Sequence, residues 1–395
     1  MELKRTLNKK LVWPINALLF NLMRLYPRRN KNLWVFGANG GKLYDGNSRY
    51  LFEYVNHHHN KKVRAIWLSG KNDVVNQVRE LGYEAYRSES GKGKSLQMKA
   101  GVCFYTHSLN DFGRYPLLGG STIVALWHGV GFKKVYDATY TGVALWMKKM
   151  IDYVYARTYR SMTIVTSEYT RYQFALEFNL AYKDIYICGQ PRNDVLKKKV
   201  SRTKILQSIG IDPDKKVIFY MPTYRMPSLG KNAMKKIIEE LYSSEELNRA
   251  LNDMNGILVV KPHPMSGIIE LPCRDNFMML HYKEVMSNQH LLCACDMLIS
   301  DYSSVSVDFA LLQRPIVFYL PDEASFLAKS EPVFEEFFEI SALSRCQTPS
   351  ELAEQIKTPT MAAVNKINEL FEAPEIRDTC YSENVYQAVC KKVGL

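Results

Sequence analysis

Ten short runs of aliphatic, β-branched and aromatic residues most constrain how this sequence of 395 residues folds. They span 33–37, 63–69, 102–106, 121–127, 163–167, 184–189, 216–221, 256–261, 296–300 and 315–320. The runs are nearly continuous in apolar residues instead of alternating, as expected of strands that are buried on both faces. Amphipathic helical stretches separate them, and 231–252 is an example. This alternation predicts an α/β protein with doubly wound parallel sheets.

A lysine-rich stretch over 197–204 separates the first six runs from the last four. A chain of this length is expected to form two or three domains of about 150 residues each. We therefore predict an N-terminal Rossmann-like domain over 32–200 and a C-terminal Rossmann-like domain with terminal helices over 201–395. The first 31 residues form a separate segment.

That first segment holds much of the positive charge. The whole chain has a net charge of +12, and residues 1–31 contain eight Lys and Arg against a single Glu. An excess of this kind favours an anionic partner: nucleic acid, phospholipid headgroups or a phosphorylated substrate. No helix–turn–helix, ribonucleoprotein or zinc pattern supports nucleic-acid binding, so we expect none.

Between the two basic clusters of this segment lies a mainly apolar stretch, 11–27, interrupted by polar residues. It is shorter than the ~20 apolar residues that a membrane-spanning helix requires. It predicts an interfacial helix resting on anionic lipid. The alternative is an amphipathic helix packed on the first domain. A second basic and aromatic stretch, 133–171, could extend the same surface.

Polar clusters follow five of the predicted strands. They are His128-Gly129, residues 190–194, residues 222–225, residues 262–264 and residues 301–304. Ligands of open α/β sheets bind outside the carboxyl ends of the strands. One cleft could therefore collect all five clusters, and this convergence is the main functional signal in the sequence.

The cluster after the ninth run predicts a phosphate site. Ser303 and Ser304 would occupy the first turn of a helix, where free N–H groups and the helix dipole attract anions. Asp308 lies one turn further on the same face, placed to accept hydrogen bonds from ribose hydroxyls. An ordinary helix cap would use the same residue types.

Two histidines are candidates for chemistry. His263 is held between Pro262 and Pro264, whose rings restrict the backbone and present the imidazole rigidly to a phosphate. His128 precedes Gly129 and is followed by Lys133, which suggests an acceptor-side base with anion-binding neighbours. His57, His58 and His59 are interpreted as a solvated turn after a helix over 49–56, because three consecutive residues cannot all face one metal ion.

Further donors suited to oxyanions are Thr223, Arg225 and Arg192, since arginine offers a bidentate fork. No P-loop, GxGxxG, GxSxG or HExxH pattern is present. The eight cysteines are irregularly spaced without a CxxC pair, so we expect neither a disulfide framework nor a zinc site.

Taken in order, several motifs resemble the CDP-glycerol glycerophosphotransferase family of teichoic-acid and capsule synthesis. They are WVFG (34–37), NSRYLFE (47–53), WHG (127–129), GQPRND (189–194), PTYR (222–225), KPHP (261–264) and SDYSS (300–304) with DFA (308–310). The resemblance covers about 33–320. After residue 320 the sequence departs from the arginine-glycine and aromatic-rich pattern of the family's polymerases. Without a large extra N-terminal region, it looks more like a primase.

The resemblance implies a glycosyltransferase-B-like fold, in which two Rossmann-like domains face a cleft and the second binds the nucleotide. It also implies peripheral attachment to the cytoplasmic face of the membrane and a polyprenyl-diphosphate-linked saccharide as acceptor. The family's two functional histidines correspond to His128 and His263, and its phosphate-binding serines to Ser303 and Ser304.

We therefore expect transfer of glycerol phosphate from CDP-glycerol to a hydroxyl of a lipid-linked saccharide, with release of CMP. His128 would be the general base, and His263 would stabilise the diphosphate together with Arg225 and the two serines. No DxD-like pair marks a metal site, so we expect neither a metal nor a cofactor. Two alternatives remain: a CDP-ribitol or nucleotide-sugar donor on the same fold, and a non-catalytic membrane-bound protein that binds nucleotide or lipid.

Overall fold

The computed structural model describes residues 15–135, 142–144, 146–147, 150, 160–230, 232–281, 287–330 and 332–395. These residues form two compact units. The first unit comprises the described residues within 1–128, 136–194 and 373–395, and the second comprises 129–135 and those within 195–372.

The first unit is built on a seven-stranded sheet in which every recorded pairing is parallel. Its strands are β1 (Asn30–Phe36), β2 (Arg64–Ser69), β3 (Ala85–Arg87), β4 (Ala100–Tyr105), β5 (Thr122–Ala125), β6 (Met162–Val165) and β7 (Ile185–Ile187). The strand order is β3-β2-β1-β4-β5-β6-β7. Its helices are Gly46–His58, Asn72–Glu80, Gly91–Lys99, Glu168–Phe178 and Tyr381–Val393. The order reverses between β1 and β4, where open sheets of this kind bind ligands.

The second unit repeats this plan with a six-stranded parallel sheet. Its strands are β8 (Lys216–Tyr220), β9 (Gly256–Val260), β10 (Phe277–Met279), β11 (Met297–Ser300), β12 (Ile316–Tyr319) and β13 (Arg345–Cys346). They follow the order β10-β9-β8-β11-β12-β13, so the reversal lies between β8 and β11. Its helices are Arg202–Ser208, Ala233–Ser243, Glu245–Asp253, Asn288–Ala294, Val305–Ala310, Glu323–Lys329, Glu336–Ser341, Pro349–Lys357 and Ala362–Phe371. The predicted α/β class with two Rossmann-like parallel sheets is confirmed.

Each of the ten predicted strand runs contains a strand, but three further strands were not predicted. β3, β10 and β13 have only two or three residues and lie at the edges of their sheets. An edge strand needs few apolar residues because it has a neighbour on one side only.

The helical stretch predicted over 231–252 is confirmed, but it consists of two helices that meet at Ser244. The Ser244 side chain accepts a hydrogen bond from the Leu247 N–H and so starts a new helix. The helix before the three histidines ends two residues later than predicted, although His57 and His58 are exposed as expected. His57 and His58 lie in the last turn of Gly46–His58, and His59 follows as its C-cap.

The boundary predicted at 200 lies at 194, the described part of the first 31 residues belongs to the first unit, and two further segments are assigned differently from the predicted domains. Residues 373–395 belong to the first unit, and the seven residues 129–135 belong to the second. Asp194 accounts for the placement of 373–395, because its carboxylate accepts hydrogen bonds from the Tyr381 N–H at 2.7 Å and the Ser382 N–H at 2.9 Å. It thereby caps the last helix. Gly189 has φ +82°, and a Cβ there would lie 2.1 Å from the Tyr381 ring, so only glycine permits this approach.

The N-terminal segment is described from residue 15, and its first basic cluster lies outside the described residues. Residues 15–23 are helical. Phe20 is 4% exposed and packs into the core of the first unit. Arg29 donates to the carbonyl oxygens of Gln97, Ala100, Leu117 and Gly119, which fixes the end of the segment on the same unit. The interpretation as a packed helix is therefore confirmed for this part.

The same helical segment also exposes an apolar stripe, formed by Ile15, Leu18, Leu22 and the following Leu25, of which Leu25 is 79% exposed. Within the described part of the chain, no helix is long and apolar enough to cross a membrane. Nearly half of the second basic and aromatic stretch, including residues 136–141 and 151–159, lies outside the described residues.

Candidate active site

In the first unit the candidate site lies after β5, where the backbone turns sharply. Trp127 has φ +56°, in the left-handed region that bulky residues avoid. Such a conformation costs about 1–3 kcal/mol and persists only where the surroundings impose it. It places His128 outside the carboxyl end of β5, with ring centroids 4.2 Å from Trp127.

Asn47 imposes this turn. Its side chain is fully buried, and its Nδ2 group donates to the carbonyl oxygens of Leu126 at 3.1 Å and Trp127 at 3.0 Å. Its Oδ1 accepts from the Arg192 N–H at 3.1 Å. Arg192 in turn donates from Nη1 to the His128 carbonyl oxygen at 2.6 Å. Sequence reasoning placed Asn47 in a family motif but gave it no role.

His107, to which sequence reasoning gave no role, lies beside His128 at the end of β4. The two imidazoles stack with centroids 4.3 Å apart and planes inclined by 10°. Below them, the buried Asp111 accepts from the N–H groups of Thr106 at 2.9 Å and His107 at 3.2 Å. Burial raises the pKa of Asp111 and lowers that of His107. The short spacing from His107 to Asp111 was the signal available in the sequence.

His128 is held as a neutral imidazole. Part of its ring is open to solvent, yet the surrounding groups remove enough water to lower its pKa to about 4. The neighbouring His107 and Arg192 add to this by repelling a positive charge. Nδ1 lies 3.3 Å from the Thr106 carbonyl oxygen, which can only accept. The proton of the neutral ring is therefore assigned to Nδ1, and Nε2 carries a lone pair.

In the second unit, Arg225 anchors the switch point between β8 and β11. It is 5% exposed and forms ion pairs with Asp301 at 2.7 Å and with Asp322 at 2.7 Å. Asp301 also accepts from the Thr223 N–H at 2.9 Å. Burial alone would lower the pKa of Arg225, but the two carboxylates outweigh it and raise that pKa.

This geometry corrects the predicted role of Arg225. Four of its five N–H groups are already used, by Asp301, by both oxygens of Asp322 and by the Thr223 carbonyl. Arg225 therefore holds the loops after β8 and β11 in place instead of presenting a free fork to a diphosphate. The Thr223 hydroxyl has no partner within the described residues and keeps its donor capacity.

His263 follows β9 and carries the opposite tautomer. It is exposed, and its Nδ1 accepts from the Met265 N–H at 3.2 Å, so the ring proton lies on Nε2. Its pKa is lowered first by partial loss of water and then by the charges of Lys133 and Lys261. Pro262, which is half-buried, sets the backbone before it. His263 is thus a neutral donor in a positive environment.

Residues 129–135 complete the site of the second unit. The carbonyl of Phe132 accepts from the Phe334 N–H at 2.7 Å, and the Phe132 ring packs among three phenylalanines of this unit. Gly131 passes so close to Ser304 that a Cβ would lie 3.0 Å from the serine Cβ. By their packing, Gly129 and Lys133 belong to the unit of His263 and not to the first unit, and their acceptor-side role stays a prediction.

Ser303 and Ser304 are half-buried and lie just before the helix Val305–Ala310 instead of in its first turn. Asp308 is only 3% exposed, and its carboxylate accepts from Gln289 Nε2 at 3.3 Å. The side chain of Asp308 therefore faces a neighbouring helix, and its carboxylate is not exposed for the predicted contact with ribose.

Arg192, predicted as a donor-site residue, lies with His128 in the first unit.

The described residues thus form one imidazole centre in each unit. The first contains His128 with His107, Asn47 and Arg192. The second contains His263 with Lys133 and Lys261, and Thr223 and the two serines follow the neighbouring strands β8 and β11 at the same edge of the sheet. Among the described residues, no group of three metal-ligating side chains occurs.

The sequence matches the family model of CDP-Glycerol:Poly(glycerophosphate) glycerophosphotransferases over residues 18–391. The chain belongs to this family. It is accordingly an enzyme of the glycerophosphotransferase class, and the resemblance inferred from its motifs is confirmed.

Among its relatives is a teichoic acid poly(glycerol phosphate) polymerase of Bacillus spizizenii, 28% identical over 80% of each chain. A teichoic acid glycerol-phosphate transferase of Staphylococcus aureus is 27% identical, also over 80% of each chain. Among solved structures, the wall teichoic acid polymerase TagF superposes with a TM-score of 0.76 at 20% identity, covering 100% of this chain and 97% of that one. The TagF likeness supports the fold.

Proposed function

We propose that this enzyme transfers glycerol phosphate from CDP-glycerol to a hydroxyl of a membrane-lipid-linked saccharide and releases CMP. The observation that carries the proposal is the different partner of Nδ1 in two histidines, each at the carboxyl end of a parallel sheet: a carbonyl oxygen for His128 and a backbone N–H for His263, which assigns them opposite tautomers. One offers a lone pair and the other offers a proton. A phosphoryl transfer from a diphosphate needs both.

His128 is the proposed general base. Its Nε2 accepts the proton of the acceptor hydroxyl while that oxygen attacks the β-phosphorus. The bond between the β-phosphorus and the oxygen bridging to the α-phosphate breaks, and CMP leaves with that oxygen. General-base assistance of this kind contributes about 10²–10⁴-fold. The lowered pKa supports this role, because the ring stays unprotonated at neutral pH.

His263 is the proposed electrophilic donor. Its Nε2–H group, together with Lys133 and Lys261, would neutralise the charge that develops on the diphosphate. Thr223, Ser303 and Ser304 would add hydroxyl donors to the same group. We expect these charges to suffice without an added metal ion, which turnover in the presence of a chelator tests.

Attachment to the cytoplasmic face of the membrane is part of the proposal. The apolar stripe on residues 15–25 is exposed, although its helix is fixed to the first unit through Phe20 and Arg29. Val143, Trp146, Met147 and Met150 form a second exposed apolar set at helical spacing. Stripes of this kind bind to the interface of a bilayer.

The decisive experiment incubates the purified enzyme with CDP-glycerol and a synthetic lipid-linked disaccharide, and weighs the products by mass spectrometry. We expect the acceptor to gain one or more glycerol phosphate units, with an equal amount of CMP. His128→Ala should lower turnover by about 10²–10⁴-fold while CDP-glycerol still binds. His58→Ala is the matched control, because His58 is an exposed imidazole of the same unit.

Parallel reactions with CDP-ribitol and with a nucleotide sugar test the donor. If either is turned over faster than CDP-glycerol, the donor assignment changes, but the assigned site residues do not. Undiminished turnover by His128→Ala would overturn the assigned base, and lack of turnover with every donor would overturn the proposed reaction.

A further inference from the structure

A second polar surface of the first unit lies far from His128. A cavity of about 270 Å³ opens beside Asn30 and Arg64, the first residues of β1 and β2. In a parallel sheet all amino ends lie at the edge opposite the carboxyl ends. His107 and His128 lie at the carboxyl ends, so this cavity does not belong to the candidate active site.

The cavity is lined by cations above an apolar floor. Arg28, Arg64, Lys92 and Lys99 come from three different segments of the chain. Lys92 and Lys99 lie seven residues apart on the helix Gly91–Lys99 and therefore project from the same face. Leu33 and Leu96, each 4% exposed, form the floor.

Most of this positive charge is not neutralised. Arg64 is paired with Glu84 at 2.6 Å. For Arg28, Lys92 and Lys99, the described part of the chain contains no carboxylate within ion-pair distance. The adjacent Arg29 differs, because carbonyl oxygens of the unit take up its guanidinium. The cavity therefore carries a net charge of about +3, the four cations less Glu84, and it favours an anion.

The volume of the cavity and the residues beside it limit the kind of ligand that it can bind. The volume lies just below the ~300–1,000 Å³ of pockets for drug-sized ligands, so it suits a small anionic group better than a nucleotide. Leu25, the end of the exposed apolar stripe, precedes Arg28 by three residues, and Tyr26 lines the cavity itself. A ligand with a charged head and apolar chains would contact both surfaces.

We propose that this cavity binds the phosphate of an anionic phospholipid headgroup, whose acyl chains lie along the apolar stripe. The site is independent of the transfer reaction, because none of its residues belongs to either imidazole centre. It would select phosphate-bearing lipid at the membrane surface, beyond the general attraction of a basic protein.

The test measures binding of the full-length enzyme to vesicles of phosphatidylglycerol with phosphatidylcholine, and to vesicles of phosphatidylcholine alone. Each removed cation should weaken binding to the anionic vesicles by about fivefold, so Arg28→Gln with Lys99→Gln should weaken it by about 25-fold. The matched control is Lys198→Gln with Lys199→Gln, which removes the same charge from exposed lysines of the second unit. We expect that control to bind much like the parent enzyme.

Soluble glycerophosphate and inorganic phosphate, titrated by calorimetry, distinguish the sources of the phosphate. Competition by glycerophosphate against the anionic vesicles, lost in the cavity variant, supports the proposal. Equal weakening by the cavity and control variants would overturn it in favour of general surface charge. Binding of inorganic phosphate without any difference between the vesicles would also overturn the lipid assignment. CMP release with a detergent-solubilised acceptor should be unchanged in the cavity variant, which separates this site from the proposed reaction.

Discussion

The ring of His107 lies parallel to that of His128, with centroids 4.3 Å apart. Two imidazoles at this distance repel each other when both are protonated, so each lowers the other's tendency to take up a proton. Asp111 holds the backbone of His107 beneath this stack. Loss of water around the ring, together with this repulsion, keeps a lone pair available on His128 at neutral pH.

This relationship predicts the pH dependence. The pKa of His128 is lowered to about 4 from an ordinary 6.5, so the acid limb of kcat/KM for CDP-glycerol should lie near pH 4. His107→Asn removes a neighbouring charge and should shift this limb upward. Because the folded protein binds the His128 proton less tightly than the unfolded chain, stability falls as pH drops from 6.5 toward 4. Unfolding must therefore be measured in the same buffers, so that loss of folded enzyme is distinguished from protonation of His128. A wild-type limb near 6.5 would contradict the assignment.

Asn47 should be needed for both stability and turnover. Asn47→Ala leaves the carbonyl groups of Leu126 and Trp127 without their buried donor, which costs about 1–3 kcal/mol for each unsatisfied group. We expect a lower free energy of unfolding by urea denaturation and a reduced kcat. Asn56→Ala is the matched control, since its amide donates to the Phe52 carbonyl within its own helix. Equal effects of both changes would argue against the positioning role.

Arg225 should act through stability more than through direct binding of the donor. Arg225→Ala leaves two carboxylates without their partner, one of them fully buried, and should lower the free energy of unfolding by about 3–5 kcal/mol. Arg225→Lys should restore little, because an ammonium group cannot form the bidentate contact with Asp322. Normal stability of Arg225→Lys with complete loss of CDP-glycerol binding would instead identify Arg225 as a direct ligand.

Gly131 should set the position of Ser304. A Cβ at Gly131 would lie 3.0 Å from the serine Cβ, so Gly131→Ala must displace Ser304 by a few tenths of an ångström. Loss of one hydrogen bond to a charged phosphate should weaken CDP-glycerol binding by about tenfold. Binding is measured by calorimetry against Gly91→Ala, where a Cβ meets no atom within 4 Å. An unchanged affinity would show that Ser304 does not contact the donor.

The two sides of the helix over residues 15–23 should respond differently to substitution. Leu18→Asn with Leu22→Asn changes exposed side chains, so it should reduce binding to lipid vesicles without affecting unfolding. Phe20→Ala removes a buried ring and should lower the free energy of unfolding by about 3–5 kcal/mol. Vesicle binding that survives the leucine changes would assign membrane attachment to another surface.

Much of the fold follows from local pattern, and the exceptions have a common cause. A strand buried on both faces must be apolar throughout, so ten of the thirteen strands are visible in the sequence as apolar runs. β3 and β13 are edge strands of three and two residues, and their pairing depends on the neighbouring strand. The break at Ser244 is likewise decided by one side-chain hydrogen bond inside a pattern that reads as a single helix.

The candidate site likewise has some features that the sequence predicts and others that depend on tertiary contacts. The sequence by itself determined the family, the two parallel sheets and the polar residues at their carboxyl ends, because each rests on residue type and short spacing. Only the tertiary structure decided that Asp194 draws the last helix back to the first unit and that 129–135 belongs with His263. The tertiary structure also decided that Arg225 pairs with two carboxylates, that Asp308 is buried and that His107 stacks on His128. These outcomes depend on contacts between residues far apart in the chain, whose energies no local pattern contains.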